Sequence, residues 1–191
     1  MAEASALGVK TNIITGFLGA GKSTNILNVL SQKPEKERWA LLVNEFGEVG
    51  IDGTMLSQSG SPDIFVREVP GGCMCCSSGI PLHMALNMLL ARAKPDRLII
   101  EPTGLAALSG IVDTLNRPGI VEAIDLRSVI CLLDPARFRE ELKKEHIQDQ
   151  VEASDILLAT HCDLAEAQQC DDFFDWASQL YPQKRLVDSI N

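Results

Sequence analysis

Positive charge is in short supply in this chain: 17 Lys and Arg stand against 26 Asp and Glu, a net charge of −9. Such a surface repels phosphate backbones and anionic lipid, so no nucleic acid and no membrane are expected as partners. No run approaches the roughly 18 consecutive apolar residues of a membrane span. Residues 1–8 also lack the basic start and apolar stretch of a secretion signal, and a cytoplasmic location is expected. Internal repeats, low-complexity tracts and linkers rich in Pro, Gly or Ser are missing too, so nothing marks a domain boundary. The 191 residues therefore predict one domain over 1–191, which at this size buries a core without disulfide staples. Apolar residues at 46% and charged ones at 23% argue against a disordered or collagenous chain.

What is present is a regular alternation of elements. Short apolar runs at 9–15, 40–43, 64–66, 98–100, 129–133, 156–159 and 185–187 predict strands, mostly separated by stretches long enough for helices. Continuous rather than alternating apolar runs suit a parallel sheet covered on both faces. Helices are predicted at 22–30, 81–93, 105–115, 136–154 with at least one break, and 165–180. The mixed-sign charges of 137–145 read as a solvated helix face without function. The fold class is α/β, a mostly parallel sheet with helices on both faces.

Between the first strand and first helix lies Gly16-Phe17-Leu18-Gly19-Ala20-Gly21-Lys22-Ser23-Thr24, a Walker A pattern. Glycines let successive N–H groups turn toward phosphates, and the helix that follows aims its positive dipole end at them. Lys22 is expected on the β- and γ-phosphates and the Ser23 hydroxyl on Mg²⁺. Gly16, Gly19, Ala20, Gly21 and Thr24 complete the nucleotide-binding loop of a P-loop NTPase. A chance match would occur in under about 1% of chains of this composition.

Leu98-Ile99-Ile100-Glu101-Pro102-Thr103-Gly104 is a strand ending in a carboxylate. Glu101 is expected to hold Mg²⁺ through water or to orient the attacking water, and Gly104 to bring a backbone N–H near the γ-phosphate. The alternative for Glu101 is an ordinary strand-terminal carboxylate facing solvent. The loop Asn44-Glu45-Phe46-Gly47-Glu48-Val49-Gly50-Ile51-Asp52 follows the second strand, where a nucleotide-sensing switch would lie, and Asp52 is expected as an outer contact to Mg²⁺. A plain acidic loop is the other reading of this stretch.

Thr160-His161-Cys162-Asp163 ends another buried strand. At this place GTPases carry Asn or Thr, Lys, any residue and Asp, with the Asp accepting from guanine N1 and N2. Thr160 and Asp163 fit, whereas His161 lacks the long stem and fixed charge of Lys. A core or surface histidine is an equal reading of His161.

Three of the six cysteines crowd into Gly71-Gly72-Cys73-Met74-Cys75-Cys76. Thiolates bind Zn²⁺ or Cu(I), and the Gly-Gly pair frees the backbone to turn several of them toward one ion. Neighbouring Cys75 and Cys76 point opposite ways in an extended chain. Two or three therefore ligate at once, which leaves room for Glu48, His83 or water. Buried structural cysteines and a redox dithiol are the other readings. Cys131, Cys162 and Cys170 are isolated and read as bystanders.

Together, the Walker A loop, the Asn-Glu-Phe-Gly-Glu loop, the Gly-Gly-Cys-Met-Cys-Cys cluster and the Glu-Pro-Thr-Gly strand end resemble the CobW-type metallochaperone GTPases, over about residues 10–163. The resemblance implies a G domain that binds GTP and Mg²⁺, hydrolyses GTP slowly and binds zinc near its switch loops. It also implies a metal site at Cys75 with Cys73 and Cys76, and Glu48 as an additional ligand. Members of this family usually carry a second, carboxy-terminal domain, often after a His-rich stretch. Neither is in this sequence, so a lone G domain from a truncated or partial product is expected.

The function expected is a zinc-binding, Mg²⁺-dependent GTPase that couples GTP hydrolysis to delivery of zinc to a metalloprotein client, with homo-oligomerisation open. Two rivals stand beside it: a nucleotide-gated metal sensor or docking module without turnover, and a P-loop kinase, which gives the cysteines no role.

Overall fold

A computed structural model describes residues 8–43, 63–69 and 80–190. Seven strands form one sheet: β1 Val9–Gly16, β2 Trp39–Val43, β3 Ile64–Glu68, β4 Arg97–Glu101, β5 Ile124–Leu133, β6 Ile156–Thr160 and β7 Leu186–Ile190. Six helices accompany them among the described residues: α1 Lys22–Ser31, α2 Ile80–Ala93, α3 Leu108–Leu115, α4 Phe138–Glu141, α5 Glu145–Ala153 and α6 Ala167–Ser178. The break expected within 136–154 falls between α4 and α5.

The strand order is β3-β2-β4-β1-β5-β6-β7, and every neighbouring pair is parallel. Burial explains the continuous apolar runs, for all five residues of β2 are buried. Side chains of a strand alternate between faces. Ile13, Leu42, Leu98 and Ile100 thus pack with Leu82, Leu86 and Leu89 of α2 and Ile111 of α3. Ile14, Leu41, Ile99 and Leu132 instead pack with Ile26 and Leu30 of α1. Toward β6, Cys131, Leu133, Leu157 and Ala159 meet Phe138, Ile147, Val151 and Phe173.

This order puts the reactive edge in the middle of the sheet. β1 lies between β4 and β5: the chain lays β2, β3 and β4 on one side of it and then crosses to build β5, β6 and β7 on the other, and ligands bind at the carboxyl ends of strands at such a reversal. β2 and β3 end on the same edge. Val43 is in register with both Glu101 and Glu68, and its carbonyl accepts from Val69 N at 2.9 Å.

Candidate functional site

The phosphate loop is shaped by what surrounds it. At Gly16, φ is +141° and a Cβ would lie 2.3 Å from the carbonyl oxygen of Leu132, so only glycine lets β1 turn out beside β5. Gly21, at φ 78°, opens α1 as its N-cap. Lys22 is 8% exposed and folds back over the loop, its Nζ donating to Gly16 O at 2.9 Å and Phe17 O at 3.1 Å. Burial lowers the pKa of its ammonium, and the charges of Glu101, Cys131 and Glu141 oppose that shift.

Glu101 arrives from β4. Its Oε1 accepts from Ser23 Oγ at 3.2 Å. Burial raises its pKa, with Lys22 and the Ser23 hydrogen bond pulling the other way. A hydroxyl and a carboxylate side by side form a hard-oxygen pair suited to Mg²⁺, so the residues present fit that ion. Gly104, three residues on, is buried with its backbone against the phosphate loop: a Cβ there would lie 2.8 Å from Leu18 N and 3.0 Å from Gly16 O. Lys22, Ser23, Glu101 and Gly104 are thus gathered at one place. Ala20 is buried, whereas Gly19 and Thr24 are exposed.

The third part of the site follows β6. Thr160 is 2% exposed and its hydroxyl donates inward to Leu133 O at 3.3 Å. His161 Nδ1 lies 3.4 Å from the same Thr160 Oγ1. The Asp134 carboxylate lies 3.6 Å from the same Nδ1. His161 has φ 56°, and its Nε2 is 3.7 Å from where a Cβ on Gly21 would be. The turn therefore carries the imidazole to the phosphate loop and leaves Asp163 exposed beyond it.

Glu48, Asp52, Cys73, Cys75 and Cys76 lie outside the described residues, and His83 sits on α2. Among the described residues no group of three or more His, Cys, Asp and Glu forms a metal cluster.

One sequence reading needs correction. The charges of 137–145 are not simply a solvated face. Glu141 is 3% exposed, and burial raises its pKa. Arg137 pairs with it at 3.3 Å and brings Nη1 within 3.3 Å of the Cβ position of Gly19. Lys144 Nζ lies 3.5 Å from the ring centre of Phe17. On a chain of net charge −9, these cations flank the phosphate loop, where they favour an anionic ligand.

Gln150 and Asp149 of α5 were also missed. Gln150 bonds to β1, to the first loop glycine and to the chain after Glu101. The Asp149 carboxylate accepts from Leu108 N, and from Ser109 N at 3.2 Å, at the start of α3. Neither lies in a recognisable motif; the available signal was a polar pair on a helix whose neighbour Val151 is core.

The nucleotide-binding domain of the CobW/HypB/UreG family matches residues 10–188. The chain is 46% identical over 182 residues to the zinc chaperone YeiR of Escherichia coli, covering 94% of this chain and 55% of that protein. It is 31% identical over 186 residues to the zinc chaperone CobW of a Sinorhizobium species, covering 83% and 52%. The chain thus spans about half the length of these curated relatives. Among solved structures, the Zn(II)-bound YjiA GTPase from E. coli superposes with a TM-score of 0.68 at 22% identity, covering 96% of this chain and 57% of that one.

Proposed function

The chain belongs to the CobW/HypB/UreG nucleotide-binding family, and on that footing we propose that it is the G domain of a zinc-handling GTPase. In this reading it binds GTP with Mg²⁺ and ties hydrolysis to the binding of zinc and its release to a metalloprotein client in the cytoplasm. The observation that carries the reading is the meeting of the start of α1 with the end of β4, in which the Ser23 hydroxyl and the Glu101 carboxylate join at 3.2 Å beside Lys22.

Each residue then has a task. The N–H groups of Gly16 to Thr24 cradle the phosphates, and Lys22 exchanges its hold on Gly16 O and Phe17 O for phosphate oxygens. Mg²⁺, when bound, neutralises charge developing on the phosphates. Ser23 would hold it directly, and Glu101 through water. Glu101 also stands where it can orient the attacking water, and Gly104 offers its N–H to the γ-phosphate. Asp163 accepts from the guanine edge, with His161 taking the place of the usual Lys.

Zinc is cargo in this reading, carried by Cys75 with Cys73 and Cys76, and with Glu48. Support comes from the names of the relatives and from the shared edge on which β2 and β3 end beside Glu101. A chain that binds both ligands through one edge can couple them, and such coupling is reciprocal: if zinc tightens GTP, GTP tightens zinc by the same factor. The test measures GTP affinity, GTP turnover and zinc affinity on one preparation, with Cys75→Ala as control. The reading expects turnover, and a GTP affinity that shifts with zinc in the parent but not in the variant. Identical GTP titrations with and without zinc sink the coupling, and binding without turnover leaves a nucleotide-gated sensor.

A further inference from the structure

Gln150 is fully buried, yet none of its amide bonds serves its own helix. Its Oε1 accepts from Thr15 Oγ1 at 2.9 Å and from Gly16 N at 3.1 Å. Its Nε2 donates to Gly104 O at 3.2 Å and to Ala106 O at 2.9 Å. Two donors and two lone pairs are the whole capacity of a primary amide, so the group is saturated. A buried amide is costly unless it is satisfied in this way, and an apolar side chain would fill the space at less risk.

The bonds have a direction. The oxygen holds the start of the phosphate loop, and the nitrogen holds the chain that follows Glu101. Asp149 adds a second hold by capping the start of α3. Between these grips Gly104 is pressed on the phosphate loop so closely that a Cβ would lie 2.8 Å from Leu18 N. The Gly104 carbonyl is tied to Gln150, and its N–H donates to no acceptor among the described residues. A backbone donor that no described residue takes up, beside a phosphate loop, is suited to a phosphate oxygen.

We infer that Gln150 is a positioning residue for triphosphate recognition: by tying the Gly104 and Ala106 carbonyls to the start of the phosphate loop, it fixes the turn that carries Gly104, and with it the place of that residue's N–H beside the γ-phosphate, and so sets the preference for tri- over diphosphate. This rests on the site being a GTP site. A diphosphate cannot use the contact, so the inference concerns the ratio of two affinities rather than either alone.

The experiment measures Mg²⁺-dependent affinities for GDP and for GTPγS, by competition with a fluorescent GDP. It uses the parent chain, Gln150→Met and Gln150→Glu, with Val151→Ala as a control that hollows the same helix without touching the phosphate loop. Met removes all four bonds, and Glu keeps the acceptor while setting a second oxygen against the Gly104 and Ala106 carbonyls. The parent should prefer GTPγS. Both Gln150 variants should lose about tenfold of that preference, the size of one charge-assisted hydrogen bond, with GDP affinity serving as the reference for any loosening of the phosphate loop that both nucleotides share. Val151→Ala should lower the melting temperature and leave the preference intact. An unchanged preference in the Gln150 variants overturns the inference, as does an equal loss for both nucleotides or a parent with no preference. A parent that prefers GTPγS but does not turn over GTP refutes the GTPase reading and leaves this inference standing. Failure to bind either nucleotide overturns both.

Discussion

Ser23 and Glu101, 78 positions apart in the chain, are joined by a 3.2 Å hydrogen bond from the hydroxyl to the carboxylate. The bond closes the phosphate loop against the end of β4 and gives the buried carboxylate one of its few compensations. Burial still wins, because the pKa of Glu101 remains above its ordinary value. A carboxylate kept at a cost to the fold points to use in chemistry.

Glu101→Gln should therefore lower GTP turnover by about 100-fold or more, the range of a lost water-orienting group, with GDP affinity little changed. Single-turnover phosphate release and nucleotide titration check the two halves. Turnover near the parent rate would remove Glu101 from the mechanism.

The same substitution should stabilise the fold at neutral pH. Folded Glu101 holds its proton more tightly than the unfolded chain does, so ionisation favours unfolding. The parent loses stability as pH rises from the ordinary carboxylate value of 4.5 through the higher folded value, and that loss persists above it. Melting curves should show Glu101→Gln above the parent at pH 7, with the gap closing at or below pH 4.5. An unchanged gap across that span would contradict the assigned direction.

Gly104→Ala should cost about 1–3 kcal/mol by overpacking, because the new methyl meets backbone of the phosphate loop rather than a movable side chain. Denaturant unfolding gives the cost. Nucleotide affinity should fall as well, since the atoms displaced are those of the loop.

Asp163→Asn should weaken GTP by roughly 100-fold, two charge-assisted hydrogen bonds being lost, and should favour xanthine over guanine nucleotides. The reason is chemical: xanthine carries an oxygen where guanine carries the N2 amino group, and the Asn amide can donate to it. Competition between the two triphosphates measures the switch. Unaltered base preference would place the base elsewhere.

Cys131 should resist alkylation at pH 8 until the chain unfolds. It is fully buried, which pushes its thiol up to about 12, and only thiolate reacts. Labelling followed by peptide mapping, native against denatured, reads this directly.

The fold is legible because a parallel sheet buried on both faces writes itself as apolar runs: five strands lie within two residues of their expected bounds, whereas β5 begins five residues before 129, where Asp125, Arg127 and Ser128 interrupt the apolar run, and β7 runs three residues past 187. The Walker A loop and the Glu101 strand end were legible for a related reason, as their roles depend on residues close together in sequence. Gln150 was not, because its four partners lie 44 to 135 positions away and two of the bonds are to backbone carbonyls, which any residue supplies. The cluster at 137–145 was misread because composition does not say which way a short helix faces. Glu141 looks like its neighbours in the sequence and differs from them only in lying under Arg137.

The bond between Val69 N and Val43 O has a bearing on zinc that concerns reach alone. Glu48 is five residues past Val43 and Cys73 four past Val69, so fully extended chain carries them at most about 17 Å and 14 Å from that bond. If the carboxylate and the thiols share one ion as proposed, this tether sets their effective concentration on the order of millimolar, whatever the dilution of the protein. In the proposed zinc site, binding across the two segments would be an intramolecular closure. A substitution that unpaired β3 from β2 would weaken it without altering a single ligand.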